Sequence, residues 1–451
     1  MRQQRILFFL CCILEKQKKN GLSFDYSLDL HYLCGVKVMM NEATRAFVRE
    51  HRDDDVRQLA LRGTKDPEVD LGFALQQIDG RRRAQEKLPS WAAVEGIVWP
   101  PHLSMEQCSS EQTARYKAEV AGSGGVFVDL TTGFGVDAAF IAQGFQKAVC
   151  VELQAELCAI SSENFKLLGL HQIEVVNGNG VDYLHRMAPA DLVFIDPARR
   201  DEHGGRTYGI ADCTPNVLDF IDELLEKAQR VMIKLSPMLD WRKAVEDIGR
   251  QHVSAVHIVS VANECKELLL ILGSGQTWTR TDKIRVVCVN LLSNGGREVF
   301  DQTIPDRPPR PDGPPSYSGG ERKYLFEPNA SVMKAGCFDL LAERFGVMPF
   351  HQNSHLFVSD KEVPDFPGRG FVIERITSMN KRELKESLAG ITQANIAVRN
   401  FPMSAEELRR RLKLRDGGDI YIFATTIENV GHRLLICKKI QFPEIPNITE
   451  R

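Results

Sequence analysis

The sequence lacks the spacings and runs that mark several large protein classes. Its 11 cysteines are odd in number, run from Cys11 to Cys437 and include no Cys-x-x-Cys pair. That pattern offers neither a zinc site nor a disulfide framework, so no metal is expected. Several cysteines sit inside apolar runs, as in Lys147-Ala-Val-Cys-Val151, where the thiol acts as a small buried hydrophobe; a reducing cytoplasm is the expected compartment. Charge of one sign is missing too. With 57 Lys and Arg against 60 Asp and Glu, the net charge of −3 excludes a globally basic nucleic-acid binder and leaves room only for a local patch. No apolar run approaches the ~20 residues of a bilayer span. The run at residues 6–14, behind Arg2 and Arg5, looks like the start of a signal peptide. It is short, lacks a small-x-small cleavage site and meets Lys16-Gln-Lys-Lys-Asn20. We read residues 1–40 as an N-terminal extension outside the fold, with a start near Met40 and a secretion signal as the alternative.

What is present is a globular composition, 43% hydrophobic and 26% charged over 451 residues, which suits roughly three domains. Residues 41–121 carry apolar positions at helical spacing and read as a helical domain. Its Arg81-Arg82-Arg83 is either a solvated face or a phosphate contact. From Gly125, short apolar runs at 126–130, 148–151, 173–176, 192–195, 231–235, 256–261 and 268–272 alternate with helical stretches at 138–143, 153–168 and 217–228. This predicts βαβ units and a parallel sheet, an α/β core. Residues 284–292 add another strand. Residues 304–320, with six prolines and three glycines, read as a linker. Two compact α+β modules follow, and no fixed-period repeat is visible.

The most informative stretch is Val126-Phe-Val-Asp-Leu-Thr-Thr-Gly-Phe-Gly-Val-Asp137: an apolar strand closed by an acid, a glycine-bearing turn and a helix start. Gly133 and Gly135 let the backbone turn sharply and approach a ligand, and the helix presents free N–H groups. Gly133-x-Gly135-x-x-Ala138 with Glu152 downstream also meets the loose dinucleotide pattern, so glycine spacing does not choose between NAD and another adenosine cofactor. Asp129 discriminates. A carboxylate there repels a pyrophosphate, whereas S-adenosylmethionine carries an ammonium and a sulfonium and no phosphate. Glu152, closing the second strand, is placed to accept from both ribose hydroxyls, and Asn179 after the third to face an adenine edge. Asp196 after the fourth strand orients or deprotonates an attacking nitrogen. Pro197 fixes that turn, and Arg199 and Arg200 clamp a phosphate-bearing substrate. Lys234, near the end of the fifth strand, is a second catalytic candidate. A turn aspartate and a salt-bridged surface lysine are the structural alternatives for Asp196 and Lys234. Asn263-Glu-Cys-Lys-Glu267 reads as a polar loop, and Asn329 as a helix cap.

In this order the motifs resemble those of class I S-adenosylmethionine-dependent methyltransferases across roughly Ser110 to Leu272. Asp196-Pro-Ala-Arg-Arg200, Lys234-Leu-Ser-Pro237 and the C-terminal stretch resemble bacterial methyltransferase-like proteins carrying a ferredoxin-like unit and a THUMP-like domain. The resemblance implies a Rossmann-like sheet and S-adenosylmethionine as cofactor. It implies cofactor contact at Asp129, Gly133, Gly135, Glu152 and Asn179, to which we add Thr131 and Asp196 as expected cofactor contacts, with Asp196, Pro197 and Arg199 also on the substrate side. The expected domains are an extension at 1–40, a helical domain at 41–121, the methyltransferase domain at 122–300, a linker at 301–320, a ferredoxin-like module at 321–376 and a THUMP-like domain at 377–451. Two departures matter. Thr131 stands where the family's acid-x-Gly-x-Gly-x-Gly loop has its first glycine, and Ala198 and Arg199 replace the Pro-aromatic pair of amino-methylating enzymes, so the familiar adenine- or cytosine-amine geometry is not matched. The Asp-Pro-x-Arg form is closer to RNA uracil methyltransferases, but the loop Leu235-Ser-Pro-Met-Leu-Asp240 holds no cysteine for a covalent intermediate.

Arg409, Arg410, Arg411, Lys413 and Arg415 crowd one short segment, which is either a solvated helix face or a phosphate-contacting patch with Phe or Tyr nearby to stack on bases. THUMP domains deliver RNA to modification enzymes, so the resemblance implies a tRNA or rRNA base as acceptor. Three readings stay open: an RNA methyltransferase, a small-molecule or protein methyltransferase, and a non-catalytic RNA- or cofactor-binding protein of the same fold. A dinucleotide oxidoreductase is a fourth, more distant one.

Overall fold

A computed structural model describes residues 40–199, 209–273, 283–305 and 323–441. Arg200, residues 1–39 and most of the expected linker lie outside them. In chain order the strands are β1 (Gly124–Asp129), β2 (Phe145–Glu152), β3 (Ile173–Asn177), β4 (Ala190–Ile195), β5 (Ala198–Arg199), β6 (Cys213–Thr214), β7 (Ala228–Leu235), β8 (Val253–Val261), β9 (Glu264–Gly273), β10 (Lys283–Leu291) and β11 (Arg297–Pro305). Then come β12 (Tyr324–Pro328), β13 (Met348–Pro349), β14 (Phe357–Ser359), β15 (Gly368–Thr377), β16 (Asn395–Arg399), β17 (Ile420–Ile427) and β18 (Gly431–Lys439). The chain divides into two compact units. The first holds the described residues up to Glu111 with Thr132–Ala139 and Val149–Gly180; the second holds Gln112–Thr131, Phe140–Ala148 and the chain from Val181.

The first unit is largely helical, as the spacing predicts. Helices Glu42–Glu50, Val56–Arg62 and Leu71–Lys87 start on Asn41, Asp55 and Asp70, whose side chains accept N–H bonds from Thr44, Gln58 and Phe73. Each cap satisfies a donor the first turn leaves free, worth ~1 kcal/mol. Gln77 bonds the main chain of Trp99 in both directions, at 2.9 and 2.7 Å, and Asn164 on helix Ala155–Leu167 does the same for Val98. Buried amides thereby satisfy an irregular segment that pairs in no strand. Trp91 meets Phe134 edge-on, ring centroids 5.1 Å apart, so the helical region buttresses the glycine turn. The last four residues of β2 lie beside β3.

In the second unit the strand order is β11-β10-β8-β9-β7-β4-β1-β2, the last represented by its first four residues. Strands β1, β4 and β7 are parallel, and their central residues Phe127, Val128, Leu192, Val193, Phe194, Val231, Met232 and Ile233 are buried and apolar. The expectation of a parallel sheet needs correcting: β9 runs antiparallel to β7 and β8, and β11 antiparallel to β10. Only Ala262 and Asn263 separate β8 from β9, both at positive φ; two residues close a hairpin but cannot make the crossover a parallel pair needs. Strand β11 also runs to Pro305, beyond residue 301 where the linker was expected. Phe300 is buried on it, and Asp301 accepts two bonds from Arg285 at 3.0 Å across the pair.

The two expected C-terminal modules share one seven-stranded sheet, order β13-β14-β12-β15-β18-β17-β16. Strand β15 pairs with β12 on one side and β18 on the other. Phe371, Phe423, Phe350 and Leu435 fill one core, and Ala394, Leu408 and Ile422 belong to a second. Buried Glu327 on β12 accepts from Arg369 and, at 2.9 Å, from Arg399 on the far strand β16, which closes the curl of the sheet. This region is fixed to the larger sheet of the same unit at several points, two of them beyond the ends of β7 and β8. The Ala330 N–H donates to Asn263 Oδ1 at 2.7 Å, and Arg242 lies against Gly336. Both points follow carboxyl ends of sheet strands.

Helix Glu111–Ala121 places Tyr116 2.7 Å from buried His257 on β8. Burial pushes the imidazole down to about 4. A base so depressed is neutral in the folded chain, whereas the unfolded chain binds its proton near pH 6.5; this stability is therefore present above about pH 6.5 and lost as pH falls toward 4. Urea unfolding at pH 7, 5.5 and 4.5 should show a loss of about 2 to 2.5 kcal/mol from this group, and His257→Gln should flatten the slope. An unchanged slope would refute the assignment.

Candidate active site

The sequence candidates fall into two sets, one in each unit, joined covalently by the Thr131–Thr132 peptide bond. In the first unit, Gly133 and Gly135 take φ of +57° and +85°. A Cβ on Gly133 would meet open space, while one on Gly135 would come 2.6 Å from Phe165. Gly133 thus bares its backbone to an approaching ligand, and Gly135 lets the helix pack. Glu152 ends β2, with one carboxylate oxygen accepting the Gly133 N–H at 2.7 Å and the other the Gln154 N–H at 2.8 Å. Its first role is to hold the glycine turn, and ribose hydroxyls would take the remaining lone pairs. Asn179 is exposed just before helix Gly180–Arg186.

Two residues here escaped the sequence reading. Asn177 bonds the main-chain oxygens of Glu152 and Leu153 at 2.9 and 3.0 Å, bracing the end of β2. The Thr132 hydroxyl is buried in the turn with no protein partner among the described residues, and an orphaned buried hydroxyl beside bare glycine backbone marks a place for a polar ligand. No spacing rule signals either one.

In the second unit, buried Asp129 ends β1 and accepts the Thr131 N–H at 2.9 Å. Strands β4 and β7 are in register at Ile195 and Ile233, so the next residues, Asp196 and Lys234, meet. Lys234 Nζ lies 2.6 Å from Asp196 Oδ2. The Asp196 side chain is 36% exposed and that of Lys234 13%, which leaves the carboxylate reachable from one side. Pro197 turns the chain into the β5–β6 ribbon, whose main chain pairs Arg199 with Cys213.

The cationic segment forms the end of helix Ala405–Leu412, capped by Ser404 and Glu407. Arg410, Arg411 and Lys413 are exposed, and Arg409 is ion-paired with Asp416. The stacking aromatics expected nearby are instead packed. Tyr421 lies 5.0 Å from Phe371 and Phe401 5.3 Å from His432, because both side chains point into the cores beneath the helix and sheet.

An acid closing β1, a glycine turn, an acid closing β2 and an Asp-Pro after β4 define the class I S-adenosylmethionine-dependent methyltransferase fold. The orphaned Thr132 hydroxyl and the open face of Gly133 fit that cofactor's polar end. Family models match in three places: protein-L-isoaspartate(D-aspartate) O-methyltransferase at residues 122–201, a ferredoxin-like domain at 324–367 and a THUMP domain-like region at 368–439. The crystal structure of a proposed methyltransferase from Porphyromonas gingivalis W83 is 30% identical, covers 88% of this chain and 98% of its own, and gives a TM-score of 0.79. An uncharacterized S-adenosylmethionine-dependent methyltransferase of Mycobacterium tuberculosis, from strains CDC 1551 / Oshkosh and H37Rv, is 24% identical over 356 residues, 77% of this chain and 90% of the relative. The chain belongs to this family of class I S-adenosylmethionine-dependent methyltransferases with C-terminal ferredoxin-like and THUMP-like domains. No helix among the described residues is long and apolar enough to cross a membrane.

Proposed function

We propose that this protein transfers the methyl group of S-adenosylmethionine to a base of tRNA or rRNA, without a covalent cysteine intermediate. The observation that carries the RNA assignment is the exposed cationic end of helix Ala405–Leu412, lying inside the THUMP domain-like region of a methyltransferase-family chain. Asp129, Gly133, Gly135, Glu152 and Asn179 would hold the cofactor, with Thr132 added from the structure. When bound, the cofactor supplies a methyl group activated by its sulfonium. Asp196 orients the incoming nucleophile, and most of the acceleration comes from that alignment rather than from proton transfer. The carboxylate of Asp196 favours an acceptor that donates a hydrogen bond, such as a base nitrogen, over a carboxylate acceptor. This weighs against transfer to a protein carboxyl group, despite the model match at residues 122–201.

The test is transfer of tritiated methyl from S-adenosylmethionine to bacterial RNA and to cell protein in parallel, the RNA taken from a strain lacking the gene. RNase-sensitive label supports the reading, and label confined to protein overturns it. Neutralising Arg410, Arg411 and Lys413 to glutamine should weaken RNA binding at least tenfold in low salt and flatten the log–log salt dependence by about 2 to 3. Anisotropy titrations from 50 to 200 mM salt read both; an unchanged slope would remove this face from the RNA site.

A further inference from the structure

We infer that Thr131 is a positioning residue for the acceptor-side Asp196 and does more than fill a glycine position of the cofactor loop. The inference rests on the methyltransferase reading and concerns the residue at which this chain departs from the family's loop.

The backbone does not need glycine at position 131. Positive φ falls at Gly133 and Gly135 and not at Thr131, so a β-branched residue sits there without strain. Its side chain then does something a glycine cannot. The ladder between β1 and β4 ends with the Leu130 N–H donating to the Phe194 carbonyl at 3.0 Å. The next main-chain donor toward this side is the Asp196 N–H, and Pro197 behind it has none. Thr131 Oγ1 accepts that N–H at 2.7 Å, extending the ladder by one bond made through a side chain. Thr131 is itself held, its N–H donating to Asp129 Oδ1 at 2.9 Å.

At the other end, Lys234 holds Asp196 Oδ2 at 2.6 Å. A continuous chain of bonds thus runs Asp129–Thr131–Asp196–Lys234, from the end of β1 through β4 to β7. It fixes Asp196 at its main chain and at one carboxylate oxygen. Among the described residues no bond is made to Oδ1, which is left to accept from the acceptor group. Thr131 therefore ties the cofactor-side acid to the acceptor-side acid, and an error at either end would be felt at the other.

The experiment compares Thr131→Gly, Thr131→Val and Thr131→Ser in the full chain. It reads three quantities: affinity for S-adenosylhomocysteine, amide hydrogen exchange at Asp196, and kcat and KM for whichever pool, RNA or protein, the wild type labels. Thr131→Gly restores the family's residue and Thr131→Val keeps the shape without the acceptor. Both should lower kcat about tenfold, the worth of one hydrogen bond. KM and S-adenosylhomocysteine affinity should stay within about twofold, and the Asp196 amide should exchange faster. Thr131→Ser should retain the wild-type rate and protection. A glycine variant as active as the wild type would overturn the inference, as would an Asp196 amide that exchanges no faster in the valine variant. A loss of S-adenosylhomocysteine affinity matching the loss of rate would make Thr131 a cofactor contact instead. If the wild type labels neither pool, the proposed function fails, and the exchange measurement still decides whether the bond exists.

Discussion

Lys117→Met is expected to cost about 3–5 kcal/mol of folding free energy, because it leaves a buried carboxylate without the ammonium that faces it. Lys117 on helix Glu111–Ala121 is 0% exposed, Glu267 on β9 is 4% exposed, and Nζ lies 2.6 Å from both carboxylate oxygens. Water does not screen such a pair, so removing one partner exposes the full desolvation cost of the other. The double variant Lys117→Met/Glu267→Leu should recover most of the loss, since well-packed apolar groups replace buried ion pairs at little net cost. Urea midpoints of the two single variants and the double complete the cycle. A single-variant loss below about 1 kcal/mol would mean that the pair is solvated.

Asp196→Ala should lower methyl transfer at least about 100-fold, the scale of removing a group that aligns or relieves the nucleophile. S-adenosylhomocysteine affinity should change no more than a few-fold if Asp196 acts on the acceptor side as proposed. Lys234→Met should cost less, about tenfold, since Thr131 still holds the Asp196 main chain. The label incorporated per minute and a calorimetric titration separate the two effects. Retention of full transfer by Asp196→Ala would assign the orienting role to a different residue.

Much of this was legible from residues alone. The apolar runs at 126–130, 192–195 and 231–235 became β1, β4 and β7 because β-branched runs bounded by turns have little else to form. The site motifs sit where open α/β sheets gather ligands, at carboxyl ends of strands. Strand direction was not legible. The Ala262-Asn263 turn carries none of the usual Asn-Gly signal, so an antiparallel β9 looked like one more parallel strand. Strand β11 hid for a different reason: its residues are largely polar or charged, and it ends on Pro305 at the edge of the proline-rich stretch. Pairing partners were invisible as well, since a run of Tyr324-Leu-Phe shows that a strand exists but not that it lies beside residues 368–372. The work of Thr131, Asn177 and Gln77 was out of reach because each acts through a bond between a side chain and a distant main chain. No periodicity records such a bond.

The junction between the two C-terminal family regions falls at Gly368, where any side chain would strike the Glu327 carbonyl 2.1 Å away. A chain cut or recombined at that residue would strip β12 of its neighbour β15 and would separate Glu327 from both of its arginines. The ferredoxin-like and THUMP-like segments can therefore be inherited only as one exchangeable part. A gene fusion that borrowed the second without the first would carry an open strand edge, which invites aggregation.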